Sequence, residues 1–316
     1  MDEAGLEAVL RQQDLLLTRA QARQAGLSRE ALRHRLRRGG PWQRVTSGVL
    51  AAFSGELTER QRMRAALLHG GESAMLGGLT AVLHHGMRYV PPSGKVHVLV
   101  AHQQHRSSSA FVIVKRTHEL PRGVLRDGLL TAPLPRAAVD ACRDLRDLRS
   151  VRALLAETVQ RRRVRVEDLR RELERGETAG SALARTVLEE VTAGVRSAPE
   201  AELRELFAAS TVLKPAVWNR SLYLGPDWLG DPDGYFPDAG LVVESDSLQW
   251  HSGTEAYEQT MARHGRFERV GLHVLHITPR RRRERPDAVL ADVEATYVAA
   301  LRSGPPPGLR VVRRAA

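Results

Sequence analysis

The chain has 316 residues, 42% hydrophobic and only 4% aromatic, so it is globular, long enough for two or three domains, and packed by aliphatic side chains. Lys and Arg number 48 against 37 Asp and Glu, a net charge of +11 that favours a polyanionic partner; arginine forks match phosphate geometry, which points to nucleic acid. A single cysteine, Cys142, excludes an intrachain disulfide and a cysteine-based zinc site, and no run approaches the ~20 apolar residues that span a bilayer. The acidic N-terminus lacks the basic start and apolar core of a signal peptide, so a cytoplasmic protein without membrane contact is expected.

Residues 1–55 read as a small helical module. Thr18 and Gln21 have capping-box spacing and start a helix through Ala25. Gly26 breaks it, and Ser28 caps a second helix running to Arg38. Leu32 and Leu36 fall on one face of that helix, while Arg29, Arg33 and Arg37 recur every four residues on another. Two β-like runs, Trp42–Val45 and Gly48–Ala52, form a candidate wing carrying Arg44. This is the pattern of a winged helix-turn-helix whose second helix enters the major groove, with Arg29, Arg33, Arg37 and Arg44 as candidate DNA contacts. A generic helical hairpin with a solvated arginine face has the same pattern.

A mixed α/β middle region covers residues 56–178. Helical pattern runs over Thr58–His69 and Met75–His85, then β-like runs Lys95–Val100 and Phe111–Lys115 flank a Ser-rich loop. Helical patterns follow over Pro135–Gln160 and Val166–Glu174. The histidines at 84, 85, 97, 102 and 105 match no zinc-ligand spacing and are expected at the surface or in loops.

The third segment, 181–303, has the order helix, helix, strand, strand, helix, strand, helix, and 304–316 is expected to be a disordered basic tail. Asp233 precedes a turn at Pro237-Asp238-Ala239-Gly240 that folds it back towards Glu244 and Asp246, which share one face of the strand Leu241–Asp246 by i, i+2 alternation. Clustered carboxylates repel unless a cation sits between them, and hard oxygen ligands suit magnesium or manganese. A strand-helix-strand crossover from Leu241–Asp246 through Thr254–Val270 to His273–Ile277 makes those strands parallel.

The residues Ser197-Ala198-Pro199-Glu200, Leu203-Arg204, Pro232-Asp233, Pro237, Leu241-Val242-Val243-Glu244-Ser245-Asp246, His251, Arg263, Gly271 and Val274-Leu275 resemble the endonuclease-like domain related to very-short-patch repair enzymes, within the PD-(D/E)xK restriction-endonuclease-like group. Thr18–Gln21, Ala25–Ser28, Trp42–Val45, Gly48-Val49 and the motif from Pro135-Arg136 to Asp140 resemble AbiEi-type antitoxins. The resemblance implies an α+β protein in which Asp233 and Glu244 hold Mg2+ or Mn2+, with Asp246 at or beside the variable third position. It implies Glu200 as an outer carboxylate, His251 as proton shuttle or phosphate contact, and Arg263 as a stabiliser of developing charge. The expected activity is metal-dependent hydrolysis of DNA phosphodiesters. Asp246 stands where the group has lysine, and Ser247, Thr260 and His276 also depart from its pattern. Two alternatives therefore stay open: a non-enzymatic antitoxin-like DNA-binding repressor with a degenerate nuclease fold, and an RNA-directed or toxin-associated factor that works through a protein partner.

Overall fold

Helix α1 (Glu3–Gln12) leads through Asp14 and Leu15, both at positive φ, into strand β1 (Leu16–Thr18). The capping box then forms: the Thr18 hydroxyl accepts from the Gln21 N–H at 3.1 Å, and Gln21 Oε1 accepts from the Thr18 N–H at 2.7 Å. This starts α2 (Arg19–Gln24); Gly26, at φ +86°, turns the chain, and Ser28 caps α3 (Arg29–Arg35). The second helix thus stops three residues short of the expected Arg38, because the chain turns at Leu36 and runs into Gly39-Gly40, where a side chain on Gly40 would meet the Arg35 carbonyl at 2.4 Å. Strands β2 (Gln43–Thr46) and β3 (Val49–Ala51) form an antiparallel hairpin turned at Gly48, and β3 pairs with β1, so the sheet order is β1-β3-β2. The structure is a computed structural model and describes residues 3–91, 93–162, 164–176, 178–192, 195, 197–245 and 263–313.

The chain is mixed α+β and divides into two compact units, Met1–Leu188 and Glu189–Ala316. In the first unit, α4 (Glu59–Gly70), β4 (Met75–Leu76), α5 (Gly78–His84), β5 (Val96–Ala101), β6 (Val112–Thr117), β7 (Val124–Arg126) and β8 (Leu129–Thr131) build a sheet of order β6-β5-β4-β8-β7. Helices α6 (Leu134–Cys142), α7 (Leu148–Arg162) and α8 (Val166–Arg175) follow. The helical pattern expected over Pro135–Gln160 is broken after Cys142; the Asp147 carboxylate accepts from the Ser150 N–H and restarts the helix. The expected division at residue 55 does not separate compact units. Leu16, Val49 and Ala51 share a core with Ala65 and Phe111, and the Asp14 carboxylate accepts from Arg60 and Arg64 on α4. The break between units falls inside α9 (Ala182–Thr192) rather than in the polar stretch before it.

The second unit continues with α10 (Ala198–Ala208), started by the Ser197 hydroxyl accepting from the Glu200 N–H, and with β9 (Val217–Trp218), β10 (Arg220–Leu224), β11 (Asp227–Gly230), β12 (Gly234–Phe236) and β13 (Leu241–Ser245). Residues 263–269 are helical (α11), followed by β14 (His273–Ile277), α12 (Pro279–Glu284), α13 (Pro286–Ala300) and β15 (Leu309–Arg313). One sheet has the order β14-β13-β12-β9, with β13 and β14 parallel and the other pairs antiparallel. Alternation buries both faces of β13. Leu241 and Val243 pack with Leu203, Phe207, Val293 and Tyr297 from α10 and α13, while Val242 packs with Tyr235, Leu222 and Phe267.

The second sheet has the order β11-β10-β15. Residues 309–313 are therefore not a disordered tail: they pair with β10 from Arg220↔Arg313 to Leu224↔Leu309, and Leu309 packs against the Leu222–Phe267 core. Among the described residues no helix is long and apolar enough to cross a membrane.

Candidate functional site

Asp233 stands just before β12 and Glu244 near the end of β13. Their register pairs Gly234 with Val243, which places Asp233 opposite Glu244 and their side chains on one face. It is the Val242 face, covered by α11. The Ser245 N–H donates to Asp233 Oδ2 at 2.8 Å and holds the first carboxylate in place. Glu244 is only 4% exposed, and its Oε1 accepts no hydrogen bond. Burial, then the facing Asp233 charge, pushes its pKa from the ordinary 4.5 up to about 7; Arg263 and His276 pull the other way.

Arg263 comes from α11, and its Nη2 lies 3.4 Å from Glu244 Oε1, an ion pair without hydrogen-bond alignment. Its stem passes Gly230, which sits at φ +152° and where a Cβ would meet Phe267 at 2.9 Å and Arg263 Cγ at 3.2 Å. His276 is the β14 register partner of Glu244, and its ring lies 4.1 Å from that of the buried His264. Asp233, Glu244 and Arg263 are thus brought together, with two histidines beside them.

Glu200 is 2% exposed on the first turn of α10, where its carboxylate accepts from Arg204 and, at 2.6 Å, from Asn219 Nδ2. Asn219, at φ +53°, also donates its N–H to the Asp233 carbonyl at 3.2 Å, so Glu200 reaches the pair through the backbone before β12. Asp246 and His251 lie outside the described residues, as does the first part of the helix expected over Thr254–Val270. Among the described residues, no group of three or more His, Cys, Asp and Glu is arranged to hold a metal. Two hard carboxylate donors that repel each other, one with a buried oxygen lacking a donor, nevertheless fit a divalent cation.

By sequence alone the run Arg280–Arg283 reads as a solvated basic turn, with nothing to tell its four arginines apart. Packing of α12 buries one of them, Arg282, to 4% exposure: Nη1 donates to the Pro199 carbonyl and the Ser245 hydroxyl, both at 3.2 Å, and Nη2 lies 2.6 Å from Glu202. It joins α10 and α12 to the residue after Glu244.

In the first unit Arg29 and Arg33 are exposed on α3, Arg37 is exposed just after that helix, and Arg44 is exposed on β2. His97 is not at the surface as expected. It points inward from the apolar run of β5, with Nδ1 3.2 Å from Asp144 Oδ2. Together with Lys115 it holds the Asp144 carboxyl below its ordinary value. His85 is half-buried, its Nε2 2.9 Å from the Ala132 carbonyl. Arg136 and Asp140, singled out in the antitoxin-like motif, form a buried i, i+4 pair at 2.7 Å. Burial pushes the Cys142 thiol up to about 12, which removes it as a nucleophile at neutral pH.

No family model matches the sequence, and no curated protein matches it. Among solved structures the chain is similar to the RV2827C protein from Mycobacterium tuberculosis, with a TM-score of 0.42 and 19% identity over 67% of this chain and 86% of that chain.

Proposed function

We propose that the chain is a divalent-metal-dependent DNA endonuclease whose second unit hydrolyses phosphodiester bonds and whose N-terminal winged helix-turn-helix module selects the DNA. The observation that carries this reading is the Asp233–Glu244 pair: two carboxylates opposed on adjoining strands, one buried and held near pKa 7 without a hydrogen-bond donor to one oxygen. Asp233 and Glu244 would hold Mg2+ or Mn2+, which when bound polarises a phosphoryl oxygen and lowers the pKa of a water. Asp233 is aimed by the Ser245 N–H, and Glu244 would hold the ion in its ionised form. Arg263, within reach of the pair, meets charge developing on the phosphate. The exposed Arg29, Arg33, Arg37 and Arg44 supply phosphate and base contacts for the module.

A second reading, a DNA-binding repressor with a degenerate nuclease fold, is favoured by the Arg263–Glu244 ion pair, which supplies the buried acid with a cation from the protein itself. Nicking of supercoiled plasmid by wild type and by Asp233→Ala, with magnesium and with chelator, separates the two. Metal-dependent nicking abolished by Asp233→Ala supports the enzyme; equal activity, or none with metal-independent DNA binding, supports the repressor.

A further inference from the structure

We infer that the outer face of the β11-β10-β15 sheet is a binding surface for an unpaired DNA strand whose bases stack on Trp228 and Tyr223. The inference takes DNA as the polymer from the reading above, and goes beyond it in assigning a second surface, outside both the carboxylate pair and the N-terminal module. It starts from a row across three strands: Trp228 on β11, Tyr223 on β10 and Arg310 on β15 are register partners, so their side chains fall on one face. The opposite face sends Leu222, Leu224 and Leu309 into the core. Trp228 is left 47% exposed, although indole is among the side chains that gain most from burial.

Each ring is paired with a cation that the backbone fixes in place. The Arg266 guanidinium lies 5.4 Å from the Trp228 ring, and its Nε donates to the Leu229 carbonyl at 2.9 Å. The Arg310 guanidinium lies 5.9 Å from the Tyr223 ring, and its Nη2 donates to the Gly225 carbonyl at 2.6 Å. The indole orientation is set as well: Trp228 Nε1 donates to Asp231 Oδ1 at 3.2 Å, an oxygen that also accepts from the Ser221 hydroxyl. Asp231 thus accepts from the Trp228 indole and the Ser221 hydroxyl, and Asp227 sits opposite Leu224, off the ring row. Exposed aromatics with interleaved arginines are the elements that bind single strands, since every base has a face to stack and every phosphate a charge to pair. Helix α11 also ties this face to the carboxylate pair, because Arg263 reaches Glu244 and Arg266, three residues on, reaches Trp228.

The test is binding of the full chain, in chelator and about 0.2 M salt, to a fluorescent oligothymidylate of roughly a dozen nucleotides and to an abasic strand of equal length and charge. Wild type is expected to prefer the base-bearing strand about tenfold, Trp228→Ala to lose most of that preference while Tyr223 keeps the remainder, and Trp228→Phe, which keeps a ring, to retain most of it. Because the strands are bound in chelator, without turnover, failure of the nuclease reading in the plasmid assay is read separately from failure here. Equal binding of both strands by wild type overturns the proposal, as does an unchanged preference in Trp228→Ala or a phenylalanine variant as weak as the alanine one. An oligouridylate bound tenfold more tightly than the DNA strand overturns the assignment to DNA.

Discussion

Arg263 and Glu244 meet between α11 and β13 at 3.4 Å, close enough to attract but not aligned to share a hydrogen. The arginine is too weakly engaged to offset burial and the facing Asp233, so the Glu244 carboxyl stays high, at about 7. Because the folded value lies above the ordinary 4.5, the folded state keeps this proton while the unfolded chain has lost it. Metal-free stability from this group is intact below pH 4.5 and declines as pH rises to 7, by about 3 kcal/mol in all. Chemical denaturation in chelator should show Glu244→Gln gaining on wild type by about that amount between pH 4.5 and 8. Parallel pH curves for the two proteins would remove the basis for a strained carboxylate pair.

Adding magnesium should reverse the trend. A cation between Asp233 and Glu244 needs both ionised, so the rise in melting temperature on adding millimolar metal should be larger at pH 8 than at pH 5.5 and absent in Asp233→Ala. A shift of equal size in Asp233→Ala would place any bound metal elsewhere.

The acid pair was legible in the sequence because it depends on two local rules. Strand alternation sets the face of Glu244, and a turn of four residues folds Asp233 back to meet it. Arg282 was not legible: four consecutive arginines look alike until α12 packs on α10 and selects the one that points inward. His97 was missed because β5 is buried on both faces, so no polar alternation marks an inward histidine. β15 was hidden behind Pro305-Pro306-Pro307, a composition that suggests disorder although the five residues after Gly308 find an open edge on β10. The local signals thus survive where contacts are close in sequence and fail where a distant element decides.

Arg282→Met should be costly for the same reason. It removes the guanidinium beside Glu202 and leaves the Pro199 carbonyl and Ser245 hydroxyl without this donor, so a loss of about 2–4 kcal/mol is expected by denaturant titration. Lysine should not rescue it, since one ammonium lacks the fork that serves three acceptors. A loss under ~0.5 kcal/mol would mean that the arginine contributes little to holding the end of β13.

Truncation after Pro307 removes β15, opens the edge of β10 and takes Leu309 from the Leu222–Phe267 core. The second unit should lose about 1–3 kcal/mol and melt earlier than in the full chain. Identical melting of the truncated and full chains would return residues 309–313 to the status of a solvated extension.

Duplex binding by the N-terminal module should be electrostatic in a countable way. Arg33 is exposed on α3, and if it neutralises one phosphate, Arg33→Ala lowers the slope of log affinity against log salt by about 1 without requiring metal. Arg29→Ala should do the same, and the two effects should add, because residues on one helix face that contact separate phosphates release separate counterions. Arg282→Met, at a buried position in the second unit, serves as the control: it should leave the slope unchanged as long as the first unit remains folded. A slope unaltered by both α3 substitutions would move the duplex-binding surface away from this helix.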